Sequence, residues 1–177
     1  SWGQGAWGML GHGDLHNQWQ PKKIEAFAGQ RVVAVSAGGG HSLALTAGGA
    51  VWSWGYGHHG RLGHGDEQNQ LQPSKIEALA GQHVVAVSAG YGHSIALTDG
   101  GGVWGWGEGG RGRLGHGDEE SELLPKKIEA FAGQRVLAVS AGGAHNLALT
   151  ADGAVWCWGS RREGKLGHGF VDCQLLP

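Results

Sequence analysis

Residues 75–118 read KIEALAGQHVVAVSAGYGHSIALTDGGGVWGWGEGGRGRLGHGD, and the same wording recurs before and after this stretch. The histidine of its Gly-His-Gly turn returns at a constant interval of fifty-two residues, at His12, His64, His116 and His168. A period of about fifty with short apolar runs and frequent glycine is typical of a β-propeller blade, because helical repeats are shorter and richer in Leu, Glu and Lys. The stretch therefore predicts an all-β chain built from four-stranded antiparallel blades.

Four short runs in each period predict the strands of a blade. Residues 75–79 come after a proline, which suits a first strand whose first residue does not donate a backbone hydrogen bond to the neighbouring strand. Residues 84–89 are small and apolar throughout, as in a strand covered on both faces. Residues 93–98 alternate between apolar and polar, and residues 103–106 place two tryptophans on one face. The glycine-rich segments between these runs supply the positive φ angles of tight turns.

Counted in this register, the whole chain of 177 residues is one propeller segment. Residues 1–21 are a blade stub and loop, and three repeats follow at 22–73, 74–125 and 126–177. Propellers close with roughly four to eight blades, so we predict a partial ring whose ends present open strand edges or apolar blade faces. The start in the middle of a repeat favours a portion of a longer chain over an arc that another copy or another protein completes.

The composition narrows the classes of partner. Thirteen basic and fifteen acidic residues give a net charge of −2 and form no long block, which argues against nucleic acid as the main partner. No apolar run is long enough to predict a transmembrane segment. Cys157 and Cys173 stand at non-equivalent repeat positions, so no disulfide framework is predicted, and the lack of an Asn-x-Ser/Thr sequon favours an intracellular location over secretion.

The repeat wording also carries a family resemblance. The pattern V-x-x-G-x-x-H-S-x-A-L-T-x-x-G-x-V-W-x-W-G, then G-x-L-G-H-G-D and a proline, stands at residues 87–107, 112–118 and Pro125. It resembles the regulator of chromosome condensation repeat family and covers essentially the whole chain. The resemblance implies a propeller of the seven-bladed type. It implies less about activity, because function depends on particular sites rather than on the fold.

The tryptophans invite two interpretations. Trp54, Trp106 and Trp158 recur once per repeat, and such regular aromatic residues predict packing between blades. The family also contains the plant ultraviolet-B photoreceptor, whose chromophore motif is Gly-Trp-Arg-His-Thr. That motif aligns with residues 38–42, 90–94 and 142–146, where neither its tryptophan nor its arginine is present. Ultraviolet-B reception by that mechanism is therefore disfavoured.

The recurring histidines invite a metal-site interpretation, which blade symmetry argues against. A structural zinc needs about four ligands at one point, whereas symmetry spreads His64 and His116 around the ring. His41, His93 and His145 open the strand at 93–98 and its equivalents, where a ring nitrogen can bond a backbone group of the neighbouring turn. We therefore predict structural roles for both sets of histidines and no metal.

Catalytic signatures are missing from the sequence. There is no G-x-S-x-G elbow, and no pair of acids is placed against a base. The glycine-rich segments lack the Lys-Ser/Thr and the following helix of a phosphate-binding loop. We predict a protein that is not an enzyme and needs no cofactor.

Variation between repeats is concentrated in the loop after each tryptophan strand and in the linker that follows it. Rigid blades hold such loops at defined positions, so a partner would be recognised there. The candidate partner-binding residues are Trp7, Trp19, Tyr56, His58, Arg111 and Arg162. We predict a non-catalytic interaction scaffold or accessory subunit, whose protein partners are further blades of a longer chain or subunits of a large complex. The alternative, implied by the resemblance, is guanine-nucleotide exchange on a small GTPase.

Overall fold

The computed structural model describes residues 1–164, 166 and 173–177, and within them it shows three four-stranded antiparallel sheets. The first contains β1 (Val32–Ala37), β2 (His41–Thr46), β3 (Val51–Gly55) and β4 (Gln70–Lys75). The second contains β5 (Val84–Ala89), β6 (His93–Thr98), β7 (Val103–Gly107) and β8 (Glu122–Lys127). The third contains β9 (Val136–Ala141), β10 (His145–Thr150), β11 (Val155–Ser160) and β12 (Cys173–Gln174). Strands follow chain order within each sheet, which confirms the expected all-β architecture of partial propeller blades.

Short 3-10 turns connect the strands. They span Ala6–Gly8, Glu25–Phe27, His58–Gly60, Glu77–Leu79, Gly110–Gly112, Glu129–Phe131 and Arg162–Gly164. None of the helices in the described part of the chain is long and apolar enough to cross a membrane.

The strand predicted at 75–79 was wrong. Only Lys75 belongs to a strand, as the last residue of β4, and Glu77–Leu79 is a 3-10 turn closed by the Ala80 N–H bond to the Glu77 carbonyl at 2.9 Å. Pro73 lies inside β4 rather than before a strand. This is possible because β4 is the outer edge of its sheet and pairs irregularly with β3, so a missing N–H is tolerated there.

Burial of the remaining strands differs from the expected pattern. Every residue of β6 is buried, so both faces of this strand are covered despite its alternating sequence. In β5, which was predicted to be covered on both faces, Val85 is exposed. The first strands of consecutive sheets contact each other, β1 with β5 and β5 with β9. Each of these strands is the edge strand of its sheet and has a hydrogen-bonded neighbour on one side only.

The core lies between the blades. One cluster joins Leu43 and Leu45 of the first blade to Trp106 of the second, and a second cluster joins Ile95 of the second blade to Trp158 of the third. Trp106 and Trp158 are fully buried. The indole N–H of Trp106 donates to the Arg61 carbonyl at 3.0 Å, and that of Trp158 donates to the Arg113 carbonyl at 3.2 Å. Each of these tryptophans thus ties its blade to the loop of the preceding repeat.

Polar contacts add a second set of links between blades. His41 Nε2 lies 2.9 Å from Ser94 Oγ, and His93 Nε2 lies 2.7 Å from Asn146 Oδ1. These partners are side chains of the next blade rather than the expected backbone groups. Burial lowers the pKa of His41 to about 3 and that of His93 to about 4, because the charged imidazolium loses its hydration. Both rings are neutral parts of the interior at ordinary pH.

The loops cross from one blade to the next in the same direction. Residues 1–21 pair with themselves through a bridge between Gly3 and Gln18, and their loop reaches β4, where the Gly13 N–H donates to the Leu71 carbonyl at 2.9 Å. The Gly65 N–H of the following loop donates in the same way to Leu123 of β8 at 3.0 Å. Loops of consecutive repeats therefore lie side by side at one rim of the arc.

Candidate partner-binding site

The rim loops share an unusual backbone conformation. Trp7, His59 and Arg111 occupy one repeat position and have φ angles of 57°, 59° and 67°. They are the only non-glycine residues with positive φ among those described. Side chains rarely adopt this region, and such residues cluster at functional sites. The same position carries a different side chain in each loop, so the fold holds a variable residue in a fixed conformation.

A pocket of about 250 Å³ opens between these loops. It combines residues of the loop at 5–14, the turn between β1 and β2, the loop at 56–61, the turn between β5 and β6, and the start of the loop after β7. Its lining residues are Trp7, Gly39, Gly40, Tyr56, His58, His59, Arg61, Tyr91 and Glu108.

Aromatic rings form one wall of this pocket. Trp7 and Tyr56 stack with their ring centroids 4.6 Å apart, and the His58 ring lies 5.6 Å from Tyr56. Trp7 is 44% exposed and Tyr91 is 65% exposed, although both are large hydrophobic residues. Exposed aromatic side chains beside a concave surface are typical of protein-binding sites.

Two arginines of the rim loops, Arg61 and Arg113, are buried. Arg61 donates from Nε to the His58 carbonyl at 2.9 Å and from Nη1 to the Tyr91 carbonyl at 3.1 Å, and its Cζ lies 4.9 Å from the centroid of the Tyr56 ring. Arg113 Nη1 forms an ion pair with Glu108 Oε2 at 2.7 Å. Burial lowers the pKa of both guanidinium groups, and the Glu108 carboxylate opposes this effect. Arginine remains charged in proteins, so Arg61 and Arg113 place fixed positive charge beneath the surface of the rim loops.

The structure brings together half of the residues predicted to bind a partner. Trp7, Tyr56 and His58 all line the pocket. Trp19 is 88% exposed and lies outside the pocket, at the repeat position where Leu71 packs against Gly8 of the preceding loop.

The two predicted arginines also lie outside the pocket. Arg111 belongs to the next loop along the rim, at the repeat position of Trp7. Arg162 is exposed on the turn Arg162–Gly164. Neither lines the pocket.

Several pocket residues were missing from the sequence prediction. His59, Arg61, Tyr91 and Glu108 complete the lining. Tyr91 could have been found from variation between repeats, because glycine stands at both equivalent positions, Gly39 and Gly143. Glu108 stands at the variable loop position of Tyr56, so the same signal could have indicated it, whereas the contacts of Arg61 with its own loop and with Tyr91 are visible only in the structure.

The histidines of the Gly-His-Gly turns bond within their own blades. His64 Nε2 lies 2.9 Å from Ser53 Oγ, and His116 Nε2 lies 3.4 Å from the Gly105 carbonyl. Burial lowers the pKa of both rings. The fourth turn histidine, His168, lies outside the described residues.

Comparison with known proteins places these features in a family. The sequence model of the RCC1-like domain matches residues 1–175. The chain is 42% identical over 179 residues to the E3 ubiquitin-protein ligase HERC2 of Homo sapiens, covering all of this chain and 4% of the ligase. It is also 42% identical over 178 residues to the Ultraviolet-B receptor UVR8 of Arabidopsis thaliana, covering all of this chain and 40% of the receptor.

A solved structure shares the fold. The crystal structure of Prp20p from Saccharomyces cerevisiae superposes with a TM-score of 0.82 at 28% identity, over 96% of this chain and 43% of Prp20p. The chain spans less than half the length of each of these three proteins. The family model nevertheless matches residues 1–175, which is almost the whole of this chain. The chain therefore belongs to the RCC1-like domain family.

Proposed function

We propose that this RCC1-like segment is a non-catalytic interaction scaffold that binds a protein partner at the rim pocket. The observation that carries the proposal is the meeting of three loops from different repeats around exposed aromatic side chains, with Trp7 and Tyr56 stacked beside Tyr91. Aromatic residues and arginine contribute most to the affinity of protein interfaces, and aromatic rings bury large surfaces at low entropic cost.

The rim loops are well suited to recognition because the blades hold them in place. The Gly13 and Gly65 amides bond the strands of the next blade, and Arg61 bonds the backbone of two different loops. A binding surface that is ordered before its partner arrives loses less entropy on association. The pocket can therefore select a partner by shape and by aromatic contact without first folding.

The comparisons support a protein as the partner. The structure of Prp20p is described together with its binding to Gsp1p and histones, so a relative of this fold binds proteins. The ligase HERC2 matches this chain over 4% of its length, so ligase chemistry is not transferred to this chain. The sequence carries no recognisable catalytic motif, so the proposal assigns no chemistry to this chain.

Site-specific photocrosslinking tests this proposal. A photoreactive residue placed at Tyr91 should yield a discrete protein adduct in cells of the source organism, and Trp7→Ala should reduce that adduct. The matched control carries the same group at Gly100, in an exposed turn at the opposite end of β6. Equal adducts from both positions, or an adduct that Trp7→Ala leaves unchanged, would contradict binding at the pocket.

Guanine-nucleotide exchange is the second candidate, supported by the likeness to Prp20p. It is tested by the rate at which candidate small GTPases release a fluorescent nucleotide. Acceleration by this chain would replace the scaffold proposal, and an unchanged rate with a GTPase that binds the chain would favour the scaffold.

Ultraviolet-B reception is not proposed. The positions of the chromophore motif hold Gly39 and Gly40 in the first repeat, and Tyr91 and Gly92 in the second. The 42% identity to the receptor therefore does not extend to its chromophore residues.

A further inference from the structure

Three side chains of metal-binding type meet at the edge of the pocket. His58, His59 and Glu67 each offer one nitrogen or oxygen atom, and these atoms lie within 4.8 Å of one another. Consecutive residues rarely present their side chains to one point. Here the positive φ of His59 turns the chain so that the two imidazole centroids are 3.9 Å apart, tilted by 35°.

The carboxylate is held beside both rings by a backbone hydrogen bond. The His59 N–H donates to Glu67 Oε1 at 3.0 Å, and Glu67 Oε2 lies 3.5 Å from His58 Nδ1. Outer hydrogen bonds of this kind orient metal ligands before the ion binds. This hydrogen bond therefore keeps the third ligand next to the first two, although Glu67 stands eight positions after His59 in the chain.

The ligand types select a class of ion. Two imidazoles and one carboxylate suit Zn²⁺, Co²⁺, Ni²⁺ or Cu²⁺, whereas Ca²⁺ and Mg²⁺ prefer oxygen ligands alone. Metal bonds of about 2.0–2.2 Å place neighbouring ligand atoms about 3–3.5 Å apart, so the most widely separated ligand atoms must approach each other by up to about 1–2 Å. The His58 and Glu67 side chains are about half exposed, so the surrounding packing leaves room for this small movement.

The other rim loops serve as natural comparisons. The positions equivalent to His58, His59 and Glu67 hold Ala6, Trp7 and Leu15 in the first loop, and Gly110, Arg111 and Glu119 in the third. Neither loop offers three ligands. The sequence prediction of no metal considered ligands that recur with the repeat, whereas this cluster occurs in one loop alone among those compared.

We infer that His58, His59 and Glu67 form a binding site for one divalent transition-metal ion. Because both histidines line the rim pocket, coordination positions that the protein leaves open face the space where a partner would bind. Zinc sites with three protein ligands commonly keep such an open position. The buried Arg61 contacts the backbone of His58, and its positive charge tempers the affinity that Glu67 provides.

Calorimetric titration of the whole chain with Zn²⁺ tests the site. The expected result is one ion per chain, with Glu67→Gln raising the dissociation constant by at least about tenfold, since losing a ligand costs no less than losing an outer partner. The double change His58→Gly and His59→Arg copies the third loop, which the same fold accommodates, and should abolish this binding while leaving the thermal unfolding temperature of the metal-free chain nearly unchanged.

Two further measurements separate the site from adventitious binding. His16→Gln removes an exposed histidine of another loop and should leave Zn²⁺ affinity unchanged. Co²⁺ should give visible absorption bands in the wild type and in His16→Gln, but not in the double variant. Unchanged Zn²⁺ affinity in the double variant, or no binding by the wild type, would overturn the inference. Either result leaves the photocrosslinking test of the scaffold unaffected.

Discussion

Acidification should destabilise this protein well before its carboxylates are protonated, because neutral histidines are buried between the blades. His41 and His93 are almost completely inaccessible, and burial lowers their pKa values to about 3 and about 4. In the unfolded chain a histidine titrates near its ordinary value of about 6.5. Between these values the unfolded state therefore binds protons that the folded state does not.

The sign and size of the effect follow from proton linkage. Since the folded pKa lies below the unfolded pKa, the free energy of unfolding falls as the pH drops from about 6.5 toward 4. At pH 5, protonation of each of these histidines stabilises the unfolded chain by about 2 kcal/mol. His41 and His93 together therefore lower the free energy of unfolding by about 4 kcal/mol relative to pH 7. This is a large fraction of the stability of an ordinary domain. His64 and His116, whose pKa values burial also lowers, act in the same direction.

Guanidinium chloride denaturation at pH 7 and at pH 5 measures the drop directly. His93→Gln keeps an N–H donor for Asn146 and removes the titrating ring, so its drop between the two pH values should be about 2 kcal/mol smaller than that of the wild type. His83→Gln, at an exposed site, is the control and should show the wild-type drop. An equal drop in wild type and His93→Gln would refute the view that burial of a neutral ring causes the acid sensitivity.

Two further predictions concern packing, and denaturation at pH 7 measures both. Trp106→Ala should lower the free energy of unfolding by about 3–5 kcal/mol, since the Trp106 side chain is fully buried between blades. Trp104→Ala should cost less, because the Trp104 side chain is only partly buried. A loss below about 1 kcal/mol for Trp106→Ala would contradict the place of this residue in the core. Gly109→Ala should lower the free energy of unfolding by about 1–3 kcal/mol or more, because an added Cβ would lie 1.7 Å from the Glu120 carbonyl oxygen. The control is Gly100→Ala at an open position, which should change the free energy of unfolding by no more than about 0.5 kcal/mol. Equal losses in the two variants would contradict the close approach at Gly109.

Much of the blade could be predicted from local sequence. Residues 84–89, 93–98 and 103–106 form β5, β6 and the body of β7 as expected. The wrong prediction of a strand at residues 75–79 also has a local cause. Pro73 was interpreted as the residue before a strand, although an edge strand tolerates proline within it. Local patterns indicate which residues are extended, but they do not show which strand lies at the edge of the sheet.

The candidate site was predictable only in part. Variation between rim loops pointed to Trp7, Tyr56 and His58, and the structure places these three together. Glu108 stands at the same variable position as Tyr56, but variation does not show that Arg61 is buried and donates to the Tyr91 carbonyl of another repeat.

The sequence by itself determined the period, the short strands and the glycine turns, since each of these depends on a few neighbouring residues and on backbone sterics. Only the tertiary structure decided the contacts between repeats, such as His93 with Asn146 of the next blade. It also decided which loops meet at the pocket and that Glu67 lies beside His58 and His59. Strand alternation and turn chemistry repeat identically in every blade, whereas these contacts depend on how neighbouring blades stack and how each rim loop folds back on itself.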